Sequence, residues 1–173
     1  TKGGNFSLPS ARGCWVLLHF TAVWRRESAL ESAHLGDLAD RFRSRGLVVA
    51  VMDIKEPIIL WRAYARAHLA PSVTALYDET GAVASRYAPP GVMPYSLDRS
   101  EAVLGGSAII DPKGRIRILV LPDSGHLDPT FQDLARALDV LLPGGTTSTV
   151  AVTASAAPAR TLGADDGTVR VNQ

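Results

Sequence analysis

The sequence predicts an α/β domain built on a central mixed sheet of about five strands flanked by helices. Three observations carry this. Two nearly unbroken apolar runs, 16–21 and 47–54, have the length and composition of strands buried on both faces. Each leads into a helix-like pattern, which makes βαβ units and a parallel sheet. Further on, Asp111-Pro112-Lys113-Gly114 separates two apolar runs, 108–110 and 115–121. Proline at the second position and glycine at the fourth suit a tight turn, so these runs form an antiparallel hairpin.

Each element has its own justification. Residues 1–14 are punctuated by Gly3, Gly4, Pro9 and Gly13, leaving room only for a short edge strand around Phe6 and Leu8. The run 16–21 is interrupted only by His19, which reads as a hydrogen-bonded core histidine. It ends in a corner, Thr21-Ala22-Val23-Trp24, at the carboxyl end where open α/β sheets carry their chemistry. Residues 27–45 form a helix whose apolar face is Leu30, Ala33, Leu35, Leu38, Ala39 and Phe42. Glu31, Asp37, Asp40, Arg41 and Arg43 lie on its other side, and Gly46 supplies a left-handed cap.

The second strand, 47–54, is rich in β-branched residues. Pro57 opens a helix at its first position, and Pro71 closes it. Ile58, Leu60, Trp61, Tyr64, Ala65, His68 and Leu69 make its apolar side. A third strand at 74–77, a turn at 78–81 and a short helix at 82–87 follow. A proline-rich loop spans 88–104 and another loop 122–127. The last helix, 129–142, buries Phe131, Leu134, Ala135, Leu138 and Leu141. The domain therefore covers 1–145, and 146–173 is a low-complexity extended tail, disordered unless a partner holds it.

Composition bounds the function. The 173 residues carry a formal net charge of +1, which excludes bulk attraction to nucleic acid or membrane. No apolar run approaches the ~18–20 residues of a transmembrane helix. The first residue is Thr1 and not Met, so the start reads as processed, engineered or trimmed, and a targeting segment is among what that would remove; the expected location, left open by the sequence, leans to cytoplasm or an organellar matrix or stroma. One cysteine, Cys14, permits no internal disulfide.

The stretch from Cys14 to Trp24 resembles the strand and corner that precede the active site of thioredoxin-like redoxins. The stretch from Ala108 to Arg117 is similar to the hairpin of the peroxiredoxin group, the alkyl hydroperoxide reductases and thiol-specific antioxidants. Residues 82–87 and 125–138 sit where that group has like segments. The resemblance spans 5–142 and implies a thioredoxin-like fold. Its register puts the redoxin nucleophile at Arg25 and the resolving cysteine at Ser28. It puts the opposing cis-proline, or the arginine that faces a peroxiredoxin thiolate, at Gly105. The proline and threonine that lead a peroxiredoxin to its cysteine are missing as well. All these positions are degenerate.

The residues in and around the corner offer little other chemistry. Cys14 lies at the far end of its strand, roughly 25 Å from the corner at about 3.3 Å per residue. It also lacks the helix N-terminus that lowers a thiol pKa. Arg25 and Arg26 oppose the helix dipole, so together with Trp24 they read as an anion or acidic-partner contact, or else as solvated cations offset by Glu27. Ser28 with His34 or His126 lacks a nucleophile elbow and an orienting acid. His19, His34, His68 and His126 show no metal-binding spacing, and no cofactor motif is present. Trp15, Trp24 and Trp61 read as core or rim aromatics.

The expected function is that of a catalytically degenerate redoxin domain, a binding or structural subunit of a larger assembly. Its partners would be other protein subunits, met in part along the 146–173 tail. The alternative is a peroxiredoxin-type thiol peroxidase or oxidoreductase working through Cys14 or an unrecognised group.

Overall fold

The computed structural model describes residues 4–7, 11–89, 98–121, 128–142 and 168–171. Its strands are β1 (Gly4–Ser7), β2 (Trp15–Thr21), β3 (Leu47–Ile54), β4 (Val73–Asp78), β5 (Ser107–Ile110), β6 (Ile116–Val120) and β7 (Thr168–Val171). Its helices are α1 (Ser28–Phe42), α2 (Ile58–His68), α3 (Ala82–Tyr87) and α4 (Gln132–Leu141). The sheet runs β1-β7-β4-β3-β2-β5-β6. Its middle, β4-β3-β2, is parallel, and β5 and β6 extend it antiparallel. This five-strand body is the mixed sheet expected. On the other side, β7 pairs antiparallel with β4, and β1 with β7.

Strand alternation divides the core into two layers. Val16, Leu18 and Phe20 of β2 and Ala50, Met52 and Ile54 of β3 pack with Ala84 of α3 and with Val103. Leu17 of β2 and Val49 and Val51 of β3 point the other way. They meet Leu35, Leu38 and Phe42 of α1, Trp61 of α2, and Leu134 and Leu138 of α4. The parallel strands are thus covered on both faces, as their continuous apolar runs require.

Several expected details shift. The 27–45 helix divides into α1 and a 3₁₀ turn, Arg43–Arg45, closed by Gly46 at φ +80°. The buried stripe of α1 runs Ser28, Glu31, Ser32, Leu35, Leu38, Ala39, Phe42. Leu30 and Ala33 fall outside that stripe and are exposed, and Glu31, expected on the polar side, is inside it. Pro57 stands one residue before α2 with ψ 127°, so it caps the helix without entering it. Trp61 is the buried residue of α2, while Leu60 and His68 face solvent.

The third strand is longer than expected by one residue at each end. The 88–104 loop contains a 3₁₀ turn, Arg99–Val103, and its residues 90–97 lie outside the described residues. The last helix starts later, at Gln132, because Asp128 accepts hydrogen bonds from the Thr130 amide and hydroxyl and from the Asp133 amide. The loop 122–127, with His126, lies outside the described residues. So does most of the tail, but its residues 168–171 form a strand of the sheet. No helix among the described residues is long and apolar enough to cross a membrane.

Candidate functional site: the corner after β2

The chain leaves β2 through buried Thr21 and Ala22, and the tight turn holds itself with the Arg25 amide donating to the Ala22 carbonyl, 3.1 Å. Trp24 points outward and is 70% exposed. Arg26 is exposed too, but Arg25 turns inward, and its side chain is only 10% exposed. Its guanidinium grips Glu31 bidentately, Nη1 to Oε2 at 2.8 Å and Nη2 to Oε1 at 3.1 Å. Glu27, expected as its counter-charge, is a distant second at 3.9 Å. A planar fork on a buried carboxylate is the strongest geometry such a pair can adopt.

Glu31 has a second partner. His19, one residue short of the buried Phe20, donates Nε2–H to Oε2 at 3.3 Å. Its Nδ1 meets the hydroxyl of Ser107 on β5 at 3.0 Å. The ring also stands edge-on to Phe131, 5.3 Å between centroids. The core reading of His19 holds, and its partner is the residue that sequence reasoning placed in solvent. Burial alone would raise the Glu31 carboxyl; the His19 and Arg25 hydrogen bonds and charges together hold it below the usual range.

The opposing wall is Gly105. Its amide donates to the Phe20 carbonyl at 2.7 Å, and the Phe20 amide donates to Gly106 at 3.0 Å, so the glycines are tied to the end of β2. Gly105 has φ +82°, and a Cβ there would lie 2.5 Å from Nη2 and 2.7 Å from Cζ of Arg25. The guanidinium lies in the space left by the missing side chain. Arg25 and Gly105, far apart in sequence, thus fit each other.

Ser28 is buried and committed. It donates to the Ala22 carbonyl at 2.9 Å and accepts from Thr21 at 2.9 Å. His34 sits on the outer side of α1, 3.7 Å from Asp37, and does not approach Ser28's hydroxyl network. Cys14 precedes β2 at its opposite end, buried, with burial pushing its thiol pKa up. Among the described residues, no three His, Cys, Asp or Glu side chains gather as a metal site.

Two further acids escaped sequence reasoning. Asp53, near the end of β3, is in register with Thr21 and Tyr77 and fully buried, with no side-chain partner for either carboxyl oxygen. Glu56 follows it, buried, with Oε1 unpaired, while its carbonyl accepts from the Tyr77 hydroxyl at 2.7 Å. Burial, then the Glu56 charge, pushes the Asp53 carboxyl up to about 8, so it keeps its proton at neutral pH. A signal existed for two of the three buried acids, Asp53 and Glu31. Asp53 interrupts an apolar run, and Glu31 lies four residues before Leu35 and seven before Leu38.

No protein-family model and no curated protein matches the chain. Solved structures do. A putative protein disulfide isomerase from Bacteroides thetaiotaomicron matches at 20% identity and TM-score 0.61, over 78% of this chain and 77% of its own. A secreted Mycobacterium tuberculosis disulfide oxidoreductase, homologous to E. coli DsbE, matches at 15% identity and TM-score 0.59, over 79% and 88%. A PrxQ from Xylella fastidiosa matches at 13% identity and TM-score 0.57, over 78% and 82%. The fold is thioredoxin-like. On that thioredoxin-like frame, the corner after β2 carries an arginine–glutamate–histidine network, and the chain's single thiol stands at the other end of the strand.

Proposed function

We propose that the chain is a redoxin-type domain of the peroxiredoxin group whose thiol chemistry is gone and which serves as a binding or structural module in a protein assembly. One observation carries this reading. The Arg25 guanidinium occupies the corner where the resemblance puts a nucleophilic thiol, pinned by Glu31 and seated on Gly105. A bidentate pair there puts a paired cation where a sulfur nucleophile would stand, and the neighbouring hydroxyls of Thr21 and Ser28 are engaged with each other and with the Ala22 carbonyl. The contact surface then narrows to exposed Trp24 and Arg26, since Arg25 is spent on Glu31. The second reading, peroxide chemistry at Cys14, has no supporting geometry: the thiol is buried, with its pKa raised.

The test is turnover with hydrogen peroxide and with a disulfide substrate under a dithiol reductant. The expected rates equal the reagent background, and Cys14→Ser leaves them unchanged. Peroxide consumption that disappears in Cys14→Ser would overturn the proposal. Isolated assemblies should lose the chain on Trp24→Ala with Arg26→Ala, while its urea midpoint stays put.

A further inference from the structure

The formal net charge of +1 hides an uneven distribution. Three segments meet at the end of the sheet where β2 and β3 begin. The Trp15 amide donates to the Gly46 carbonyl at 3.0 Å, which joins the start of β2 to the Arg43–Arg45 turn. The Gly13 amide donates to the Pro112 carbonyl at 3.0 Å, which joins the residues before β2 to the turn between β5 and β6. Neighbouring strands lie about 4.8 Å apart, so this row extends roughly 14 Å from β3 to β6.

Cations dominate the row. Arg43, Arg12 and Lys113, one from each segment, are exposed and have no acidic partner among the described residues. Arg115 and Arg117 share the carboxylate of buried Asp111, at 3.0 and 3.6 Å. Arg41 and Arg45 share Asp139, and Arg45 also donates to the Leu142 carbonyl at the end of α4. The acids set against these seven cations are Asp111, Asp139 and the exposed Asp40. This end of the molecule is therefore strongly positive, and the acids that bring the chain back to +1 stand elsewhere.

The two trios indicate the ligand. An aspartate between two arginines holds both guanidiniums in place and leaves one positive charge over. Buried Phe42 steadies one trio further, with Arg41 and Arg45 at 4.9 and 5.1 Å from its ring. Planar forks held ready in this way fit carboxylates and phosphates. Among the described residues, Trp15 is only half-exposed and Phe42 is buried, so this end offers no aromatic platform for nucleic-acid bases. An extended peptide with acids at alternate positions spaces them about 6.6 Å apart, so three carboxylates span the row.

We infer that the end of the sheet where the parallel strands begin is a docking surface for an acidic, extended segment of a protein partner. Arg12, Arg43, Lys113 and the two arginine–aspartate trios receive its carboxylates. The surface lies beyond the opposite end of the seven-residue β2 from Trp24 and Arg26, roughly 23 Å away, so it is a second contact and does not draw on the corner.

The test uses the full chain and a labelled peptide of alternating glutamate and threonine, followed by fluorescence anisotropy. Arg12→Glu with Lys113→Glu reverses two cations of the row. Arg62→Glu with Arg86→Glu, exposed on α2 and α3, changes the net charge equally elsewhere. The first variant should lose affinity about tenfold or more, and the second should stay within about twofold of the unaltered chain. Raising salt from about 50 to about 300 mM should weaken binding about fivefold or more. Equal losses in both variants would overturn the inference, because net charge alone would then be read. So would an unaltered chain that takes up no peptide. Tighter binding to an oligodeoxynucleotide of the same charge, or to phosphatidylserine vesicles, would overturn it in favour of a different partner. If the first variant fails to fold, Arg12→Gln with Lys113→Gln, matched by Arg62→Gln with Arg86→Gln, decides by the same comparison.

Discussion

Arg25 and Gly105 constrain each other at the scale of single atoms. Gly105 tolerates φ +82° because it has no Cβ, and the room it leaves holds the guanidinium. Gly105→Ala should cost about 1–3 kcal/mol from backbone strain plus the displaced arginine. Arg25→Ala should cost about 3–5 kcal/mol, because it leaves Glu31 buried with one partner fewer. Urea unfolding of both variants and of the double variant checks the pairing: the double should lose less than the sum by at least about 0.5 kcal/mol. Strict additivity would mean that the two sites do not touch.

Asp53 makes a prediction of opposite character. Its folded pKa of about 8 lies above the ordinary carboxyl value of about 3.9. Between those values the folded chain holds a proton that the unfolded chain has released. Its contribution to stability is therefore complete below about pH 4 and drains away as pH rises toward about 8. Asp53→Asn should flatten that slope in urea midpoints measured from pH 5 to 9. Glu31 works the other way: its pKa is held down, so its contribution is lost as pH falls below the ordinary carboxyl range.

At the scale of elements, α1 decides the site by its rotation. One stripe carries Leu35, Leu38 and Phe42 into the core, and the same stripe carries Ser28 and Glu31 to the corner. Packing of the apolar half thus aims the polar half. The helix ends through the Arg43–Arg45 turn and Gly46, whose amide donates to Arg43 at 3.1 Å. A Cβ at Gly46 would meet nothing within 4 Å, so Gly46→Ala tests backbone conformation alone. It should destabilise by about 1–2 kcal/mol, the cost of a left-handed non-glycine residue, measured as a fall in the urea midpoint.

At the scale of the whole molecule, β2 is the middle strand of the five-strand body β4-β3-β2-β5-β6, and both core layers rest on it. Cys14 sits at its entrance, buried. The Cys14 thiol should react with an exposed-thiol reagent only when the sheet opens, roughly a hundredfold or more slower than in urea. Labelling of the native chain at the unfolded rate would place the thiol at the surface and reopen its chemistry.

The sequence alone determined the order of elements, the Asp111-Pro112-Lys113-Gly114 hairpin, the thioredoxin-like expectation and the absence of a thiol at the corner. Those features are local: period, turn chemistry and residue identity are written within a few positions of each other. Most of the site was not legible in that way. That Arg25 turns inward, that Glu31 joins it to His19, and that Gly105 makes room for the guanidinium depend on which strands are neighbours and how far α1 is rotated. The burial of Glu56 beside Asp53 and the β7 strand in the tail belong to the same class. Four residues such as Thr168 to Val171 have too little period to declare a strand, and become one only where β4 and β1 supply the pairing they lack alone.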